Sequence, residues 1–259
     1  MIYVFLAIFG LIIGSFLNAV IYRMYSGDSI VKDRSKCVHC QHQLGAIDLV
    51  PFLSWVFLKA KCRYCQKKIS WQYPAVELVT AILFILGYLV LVPVSGGFSF
   101  IILAPYILYL IATSFLIVIF VFDHLHQLIL DKVTVPLMII AIIFIFVLKL
   151  NWSEHLLAGV AGAAWFGWQY AISKGKWIGG GDIRLGAVMG LLLGWPGLLV
   201  ALFLAYILGA IVSIYLLISK KSERGSQIAF GTFLSFATVV TWLYGDQLLG
   251  WYLGLFNFL

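Results

Sequence analysis

Two aspartates stand where long apolar stretches meet polar sequence, and together they could hydrolyse a peptide bond. Asp123 ends the apolar run of "FLIVIFVFDHLHQLILDK", and Asp182 follows three glycines in "WIGGGDIRLG". Two carboxyl groups that share one site do not both ionise readily, so one keeps a proton while the other acts as a base. Such a pair could activate a water molecule and protonate a departing amine without a metal or a covalent intermediate.

The glycines before Asp182 give this motif a second element. Gly179 and Gly181 lack Cβ atoms, so the backbone could approach a substrate strand closely, and we treat both as candidate substrate-binding residues. Two structural interpretations stay open. Because a lone G-x-G-D is a weak motif, Asp182 could simply cap the following helix. Asp123 could be an interfacial charge.

Glu77 is a third candidate, because it lies just inside another apolar run in "YPAVELVT". An acid at this depth could receive a basic group or amino group of a substrate. It could equally stabilise the helix through its interaction with the positive, N-terminal end of the helix dipole. The sequence leaves both roles open.

All four cysteines lie in one polar segment, as the pairs "CVHC" and "CRYC" with 21 residues between them. Such pairs typify zinc-ribbon-like sites, in which each pair supplies two thiolates to a tetrahedral ion. A reducing cytoplasmic environment favours structural zinc over disulfides, which stay the alternative. A closed four-thiolate site has no position for a catalytic water, so we expect it to stabilise the fold. The predicted ligands are Cys37, Cys40, Cys62 and Cys65.

The elements that must position these groups are membrane helices. Of the 259 residues, 63% are hydrophobic and 10% are charged, which is far from the composition of soluble proteins. Tryptophans and tyrosines near the predicted interfaces fit aromatic belts, which require no binding role. We predict an all-α integral membrane protein of about eight transmembrane helices with a cytoplasmic zinc-ribbon-like loop domain. The apolar runs lie near residues 2–22, 74–93, 101–122, 133–150, 155–173, 183–195, 197–219 and 228–257.

Charge then orients these helices and divides the chain. When the runs alternate across a bilayer, all Lys and Arg residues except Lys149 fall on one side, which the positive-inside rule makes cytoplasmic. Both aspartates then face the cytoplasm, where they could meet, and both termini lie outside. The divisions are a first transmembrane helix (1–22), a four-cysteine domain (23–73) and a polytopic peptidase core (74–259). The net charge of +7 indicates this topology and contact with the lipid bilayer, and nothing about it requires nucleic acid.

In four segments the sequence resembles the type IV prepilin peptidases, which are bacterial membrane aspartic proteases of the G-x-G-D group. "GSFLNAVIYR" (14–23) resembles the opening segment of that family, and the cysteine pairs with "CRYCQKKISWQYPAVELVTA" (62–81) resemble its cytoplasmic domain. "FDHLHQLILD" (122–131) and "GGGDIRLG" (179–186) resemble its two aspartate segments. The four segments occur in family order and span nearly the whole chain.

The resemblance implies that Asp123 and Asp182 are the catalytic pair of an enzyme in the bacterial cytoplasmic membrane. It implies as substrates the prepilins and pseudopilins, whose short basic leader ends in glycine before a hydrophobic helix. Many members also N-methylate the new amino terminus with S-adenosylmethionine, so this second activity is an expectation as well. No glycine-rich strand-turn-helix motif marks a donor site, and nothing in the sequence indicates an oligomeric state.

The sequence also departs from the family pattern. Leu130 replaces the proline that usually precedes the second acid of the first segment, and Arg184 replaces a lysine while keeping its charge. "AFGT" (229–232) replaces a proline-flanked P-F-G-P. The missing prolines leave the roles of Asp131 and Gly231 open.

Other classes of protein stay open as alternatives. A proton-coupled transporter could use the two aspartates as a relay, although the inverted repeats common in such proteins are not evident. A non-catalytic assembly protein for pili or secretion could recruit partners with its cysteine segment, and would then survive loss of both aspartates. Intramembrane G-x-G-D proteases resembling presenilin carry a P-A-L motif, which we do not find in this sequence.

Overall fold

The computed structural model describes residues 1–93, 100–219 and 228–256, which form an all-helical fold. Besides α-helices, these residues contain one turn of 3-10 helix (Ala46–Leu49) and two isolated β-bridges. The prediction of an all-α protein is confirmed. The helices are α1 (Ile2–Ser26), α2 (Leu53–Phe57), α3 (Gln72–Leu91), α4 (Phe100–His126), α5 (Asp131–Val147), α6 (Trp152–Ser173), α7 (Gly180–Ile218) and α8 (Phe230–Phe256).

The chain divides into two compact units, residues 1–96 and 97–259. In the first unit, α1 packs against α3, and small residues allow their backbones to come close. A Cβ on Gly10 would lie 2.5 Å from Cα of Ala81, and a Cβ on Gly14 would lie 2.6 Å from Cα of Glu77. The polar segment with the cysteines connects these two helices. The three-part division inferred from the sequence stays a prediction.

In the second unit, α7 packs against α5, α6 and α8, while α4 packs against α5 and α8. The crossing of α6 and α7 is especially close. A Cβ on Gly162 would lie 2.2 Å from the carbonyl oxygen of Gly186, and one on Gly190 would lie 2.2 Å from that of Ala158. This packing fixes α7, which carries Asp182 in its first turn, within the unit that also contains Asp123.

Helix α7 is interrupted at Gly194, where φ is 62° and ψ is −161°. Pro196 follows, and its ring and missing N–H break the regular hydrogen bonding of a helix. The imidazole Nδ1 of His155 in α6 donates to the carbonyl of Leu191 at 2.9 Å, which satisfies an acceptor at the interruption. The non-helical residues Gly194 and Trp195 thus divide α7 into two helical halves, which correspond to the predicted runs 183–195 and 197–219.

Four helices are long and apolar enough to cross a membrane: Ile2–Ser26, Gln72–Leu91, Leu103–His126 and Gly180–Ile218. These four are counted among the residues that the structure describes. Each of the eight predicted apolar runs coincides with a helical segment. Among the described residues, however, only the four helices named above meet the criteria of length and apolar composition for a membrane span. Helix α5, for example, has 17 residues, a length of about 26 Å against a bilayer core of roughly 30 Å.

Some of the charges behind the predicted topology lie in parts of the chain that the structure does not describe. Lys220, Lys221 and Arg224 lie outside the described residues, and so do residues 94–99 of the uncharged loop between the second and third runs. The end of the last run, at residue 257, also lies outside them.

Candidate active site and metal centre

Asp123 lies near the C-terminal end of α4, where it is 4% exposed. The backbone N–H of Thr232 donates to its Oδ2 at 3.0 Å, and the N–H of Gly231 donates to the same carboxylate. Both residues belong to the first turn of α8, whose N–H groups have no acceptor within a helix. The positive end of α8 therefore stabilises the ionised form of Asp123.

Asp182 lies in the first turn of α7 and is 7% exposed. Its Oδ2 accepts a hydrogen bond from the backbone N–H of Gly179 at 2.9 Å. Its Oδ1 is buried and has no hydrogen-bond partner in the part of the chain that the structure describes. One oxygen of Asp182 thus caps the helix, and the other is available for a ligand. The carboxyl groups of Asp123 and Asp182 interact electrostatically.

Ile129 explains how two helix ends come to the same region. A Cβ on Gly181 would lie 2.6 Å from Cβ of Ile129, and a Cβ on Gly231 would lie 2.7 Å from its Cδ1. The Cβ on Gly231 would also lie 2.9 Å from Oδ2 of Asp123. The first turns of α7 and α8 can pack on opposite parts of Ile129 only because both glycines lack side chains.

Arg184 and Asp131, two positions where the sequence suggested a charged role, pair with each other. The guanidinium of Arg184 in α7 donates to the carboxylate of Asp131 at the start of α5. Both side chains are about half exposed, and exposed ion pairs of this kind contribute about 1 kcal/mol or less. This pair links α5 to α7 two residues after Asp182.

The four cysteines meet in one cluster in the first unit, with all Sγ atoms within 4.8 Å of one another. The Sγ atoms of Cys37 and Cys65 are 3.9 Å apart. A tetrahedral ion with metal–sulfur bonds of about 2.3 Å requires sulfur atoms about 3.8 Å apart, whereas a disulfide requires about 2.05 Å. All four cysteines are free, so the cluster fits a metal ion.

Both cysteine pairs are presented by the same local fold. In each pair, the N–H of the first cysteine donates at 2.9 Å to the carbonyl five residues later, and the glutamine after the second cysteine has a positive φ. An isolated β-bridge closes each turn. The sequence K-C-x-x-C-Q occurs at 36–41 and again at 61–66, a repeat of 25 residues that the sequence analysis missed.

The surroundings of the cysteine cluster shift the pKa values of two of its thiols in opposite directions. Burial raises the pKa of the Cys37 thiol, but the backbone N–H groups of Cys40 and His39 and the neighbouring thiols outweigh it and lower that pKa to about 7. At Cys65 the Lys67 backbone N–H lowers the pKa, but desolvation and the other three thiols raise it to about 11. A cation at the centre of the cluster would favour the thiolate form of all four.

Glu77 lies in the first unit, whereas the two aspartates lie in the second. It is 6% exposed, and its Oε2 accepts a hydrogen bond from the backbone N–H of Phe52 at 2.7 Å. The hydroxyl of Ser15 donates to the same carboxylate. No salt bridge to Glu77 occurs among the described residues. Glu77 lines a cavity of about 690 Å³ between α1, the start of α3 and the polar segment.

The four predicted cysteines come together in the structure, and the catalytic role of the two aspartates stays a prediction. Three contacts around the aspartates were not foreseen from the sequence. The sequence analysis left the role of Gly231 open and did not consider Thr232, although both contact Asp123. It also gave no role to Ile129. An N–H donor can belong to almost any residue type, so only the position of "FGT" at the start of the last apolar run signalled this contact.

The chain matches two family profiles. Residues 8–91 match the profile described as Bacterial Peptidase A24 N-terminal domain. Residues 110–214 match the profile described as Type IV leader peptidase family. The first match covers the cysteine cluster and Glu77, and the second covers Asp123 and Asp182. No solved structure matches the chain significantly.

Several curated proteins called prepilin leader peptidase/N-methyltransferase are similar to the chain over nearly their whole length. The protein of Aeromonas salmonicida (strain A449) is 31% identical, with 95% of this chain and 92% of that protein covered. That of Bacillus subtilis (strain 168) is 32% identical, with 96% of each covered. That of Stutzerimonas stutzeri is 33% identical, with 95% of this chain and 92% of that protein covered.

Proposed function

The chain belongs to the type IV leader peptidase family, and from this premise we propose that it cuts the short basic leader from prepilins or pseudopilins after glycine. The buried pair of carboxyl groups with unlike surroundings, Asp123 and Asp182, is the observation that carries the proposal. We further propose that the chemistry is of the aspartic type, with these two residues as the catalytic pair.

The hydrogen bonds around the pair support different roles for its two members. Asp123 accepts hydrogen bonds from two backbone N–H groups at the start of α8, and these hydrogen bonds favour its ionised form. It is the base. Asp182 keeps one buried oxygen without a donor in the described part of the chain, an arrangement that favours a proton on that oxygen. It is the acid.

The reaction then needs no metal. Asp123 takes a proton from water while the water oxygen attacks the carbonyl carbon of the leader glycine, and Asp182 hydrogen-bonds the carbonyl oxygen. A tetrahedral intermediate forms. A proton passes to the amide nitrogen, the C–N bond breaks, and the leader leaves with a new carboxyl group as the mature chain gains a free amine. Gly179 lets the substrate backbone approach Asp182, whereas Ile129 fills the space beside Gly181.

A cleavage assay tests this function. The purified full chain is mixed with a prepilin-like substrate that carries a basic leader, a glycine and a hydrophobic helix, and the new amino terminus is identified by mass. Cleavage directly after the glycine is expected. A substrate that stays intact, or that is cut elsewhere, would return transport or assembly to consideration.

Replacing Thr232 with proline is expected to lower the cleavage rate by roughly 10- to 100-fold, because a hydrogen bond to a charged group contributes about 1.5–3 kcal/mol. Proline is tolerated in the first turn of a helix but has no N–H to donate. Without this donor, Asp123 holds its proton to higher pH. On acidification, activity should therefore be lost at a higher pH than in the wild type, as a pH–rate profile would measure.

The matched control is Thr232→Val, which keeps the backbone N–H. It removes only the hydroxyl, which donates to the carbonyl of Ala229 at 2.6 Å. Its acidic limb should coincide with that of the wild type. His124 and Asp182 also act on Asp123, but neither variant changes them. An unshifted limb in a folded Thr232→Pro protein would contradict the role of Asp123 as the base.

For the cysteine cluster we propose zinc, held by Cys37, Cys40, Cys62 and Cys65, as a structural ion. The spacing of the sulfur atoms supports a tetrahedral thiolate site. Zinc bound in this way supplies folding energy to a small polar segment and leaves no coordination position for water.

We propose that eight helical segments, with α7 counted as two, cross the bacterial cytoplasmic membrane. An even number returns the chain to the side where it began. The clustering of Lys and Arg supports a cytoplasmic position for the cysteine segment and both aspartates, with both termini outside. The names of the relatives also support N-methylation of the new amino terminus with S-adenosylmethionine as a second activity of this chain.

A further inference from the structure

The cavity in the first unit contains two polar side chains with unused capacity for a ligand. Glu77 is a buried carboxylate that lines the cavity, and its hydrogen bonds come from a backbone N–H and a hydroxyl rather than from a cation. Asn18 also lines the cavity and is 3% exposed. Its amide nitrogen donates to the carbonyl of Tyr73 at 2.9 Å, while its Oδ1 is buried without a partner among the described residues. A buried carboxylate of this kind is best satisfied by a cationic ligand.

Aromatic rings form another part of the wall. Trp55 is held by a hydrogen bond from its Nε1 to the carbonyl of Ile69 at 3.4 Å, and Trp71, at the start of α3, is 74% exposed. Both line the cavity. A flat, electron-rich indole binds a nucleobase by stacking, and it also attracts a nearby cation.

Exposed basic residues form a further part of the cavity lining. Arg34 and Lys68 line the cavity, are exposed, and take part in none of the salt bridges between described residues. The lining of the cavity therefore combines a buried acid, Glu77, with exposed basic side chains. The cavity could receive a molecule that carries a cationic centre, an aromatic base and a carboxylate.

We infer that this cavity binds the methyl donor, an adenosyl sulfonium compound, with Glu77 beside the sulfonium, an indole against the adenine and a basic side chain near the carboxylate. The inference rests on the proposed second activity. In that activity, an N–C bond forms at the new α-amine, the S–CH₃ bond of the donor breaks, the sulfonium becomes a neutral thioether, and the amine loses one proton. Glu77 takes no part in bond making; it selects the positively charged donor over the neutral product.

The test compares S-adenosylmethionine with S-adenosylhomocysteine, which differ by one methyl group and one positive charge. Binding to the purified full chain is measured by titration calorimetry, without substrate. We expect the wild type to bind the sulfonium compound about 10- to 100-fold more tightly, as for an interaction with a charged group. Glu77→Gln, which keeps an acceptor for Phe52, should abolish that preference. Equal binding of the two compounds by the wild type, or an unchanged preference in Glu77→Gln, would overturn the inference.

Two further variants make the result specific. Glu154→Gln removes the same charge from a residue that does not line the cavity, so the preference should persist. Trp71→Ala alters an exposed side chain and should weaken the binding of both compounds by roughly 5- to 100-fold if the indole stacks on adenine. Unchanged binding of both compounds would overturn that part of the assignment. Leader cleavage is measured separately without donor. Cleavage without donor binding refutes only the cavity assignment, and selective donor binding without cleavage refutes only the peptidase.

Discussion

Replacing either Asp123 or Asp182 with asparagine is expected to lower kcat/KM for leader cleavage by roughly 10³-fold or more, since general acid–base catalysis contributes about 10²- to 10⁴-fold. Asparagine has nearly the same size and can still accept the hydrogen bonds of Thr232 or Gly179. It cannot take up or release a proton at neutral pH. The measurement is the rate at which the new amino terminus appears, followed by mass spectrometry with the purified full chain.

The control for this prediction is Asp246→Asn, which removes one negative charge from an exposed position of α8. Its activity should stay within about threefold of the wild type, as surface substitutions usually have small effects. The double variant should be no less active than either single variant, because the two residues act as one unit. Near-normal cleavage by both single variants would place the chemistry elsewhere in the molecule.

Much of the fold could be predicted because membrane helices are specified by simple physics. An apolar run long enough to cross a bilayer must be helical, and all eight predicted runs coincide with helical segments. The boundary between the runs 183–195 and 197–219 was predicted as well, since non-helical backbone at Gly194 and Trp195 interrupts α7. Glycine and proline together normally indicate an end, and only the packing of α6, with His155 donating to Leu191, shows how the interruption is accommodated.

The surroundings of the aspartates were harder to predict than the aspartates themselves. Thr232 lies 109 residues after Asp123 and contributes a backbone N–H, a group that every residue except proline has. Such a contact has almost no signature in composition. The close packing of Gly181 and Gly231 on Ile129 is likewise visible only when three distant segments are brought together.

The cavity in the first unit was missed for a related reason. Trp71 lies just before the predicted run 74–93, where a tryptophan fits an interfacial aromatic belt, and Trp55 lies in the segment that was interpreted only as a zinc-binding domain. Periodicity cannot distinguish an indole that faces lipid from one that lines a cavity. Glu77 was recognised as unusual, but its hydrogen bonds to Phe52 and Ser15 come from segments that the sequence analysis treated separately.

Replacing Cys37 or the equivalent Cys62 with serine is expected to weaken metal binding by more than about 100-fold, because a neutral hydroxyl replaces one of four thiolates; even changes in residues that only support a ligand cost about 10- to 100-fold. Metal content is measured by mass spectrometry on protein purified without added metal. We expect about one zinc ion per wild-type chain and far less in either variant. The polar segment between α1 and α3 should also become sensitive to proteases, since metal binding supplies folding free energy.

His39→Ala is the matched control for the cysteine variants. His39 lies between two predicted ligands, but the cluster of potential ligands consists of the four cysteines alone among the described residues. Metal content should therefore stay near one ion per chain in this variant. Lowering the pH should release the metal from the wild type, because protons compete for the thiolates. A Cys37→Ser protein with unchanged zinc content would contradict the assignment, and a metal-free, disulfide-linked wild type would favour oxidised pairs instead.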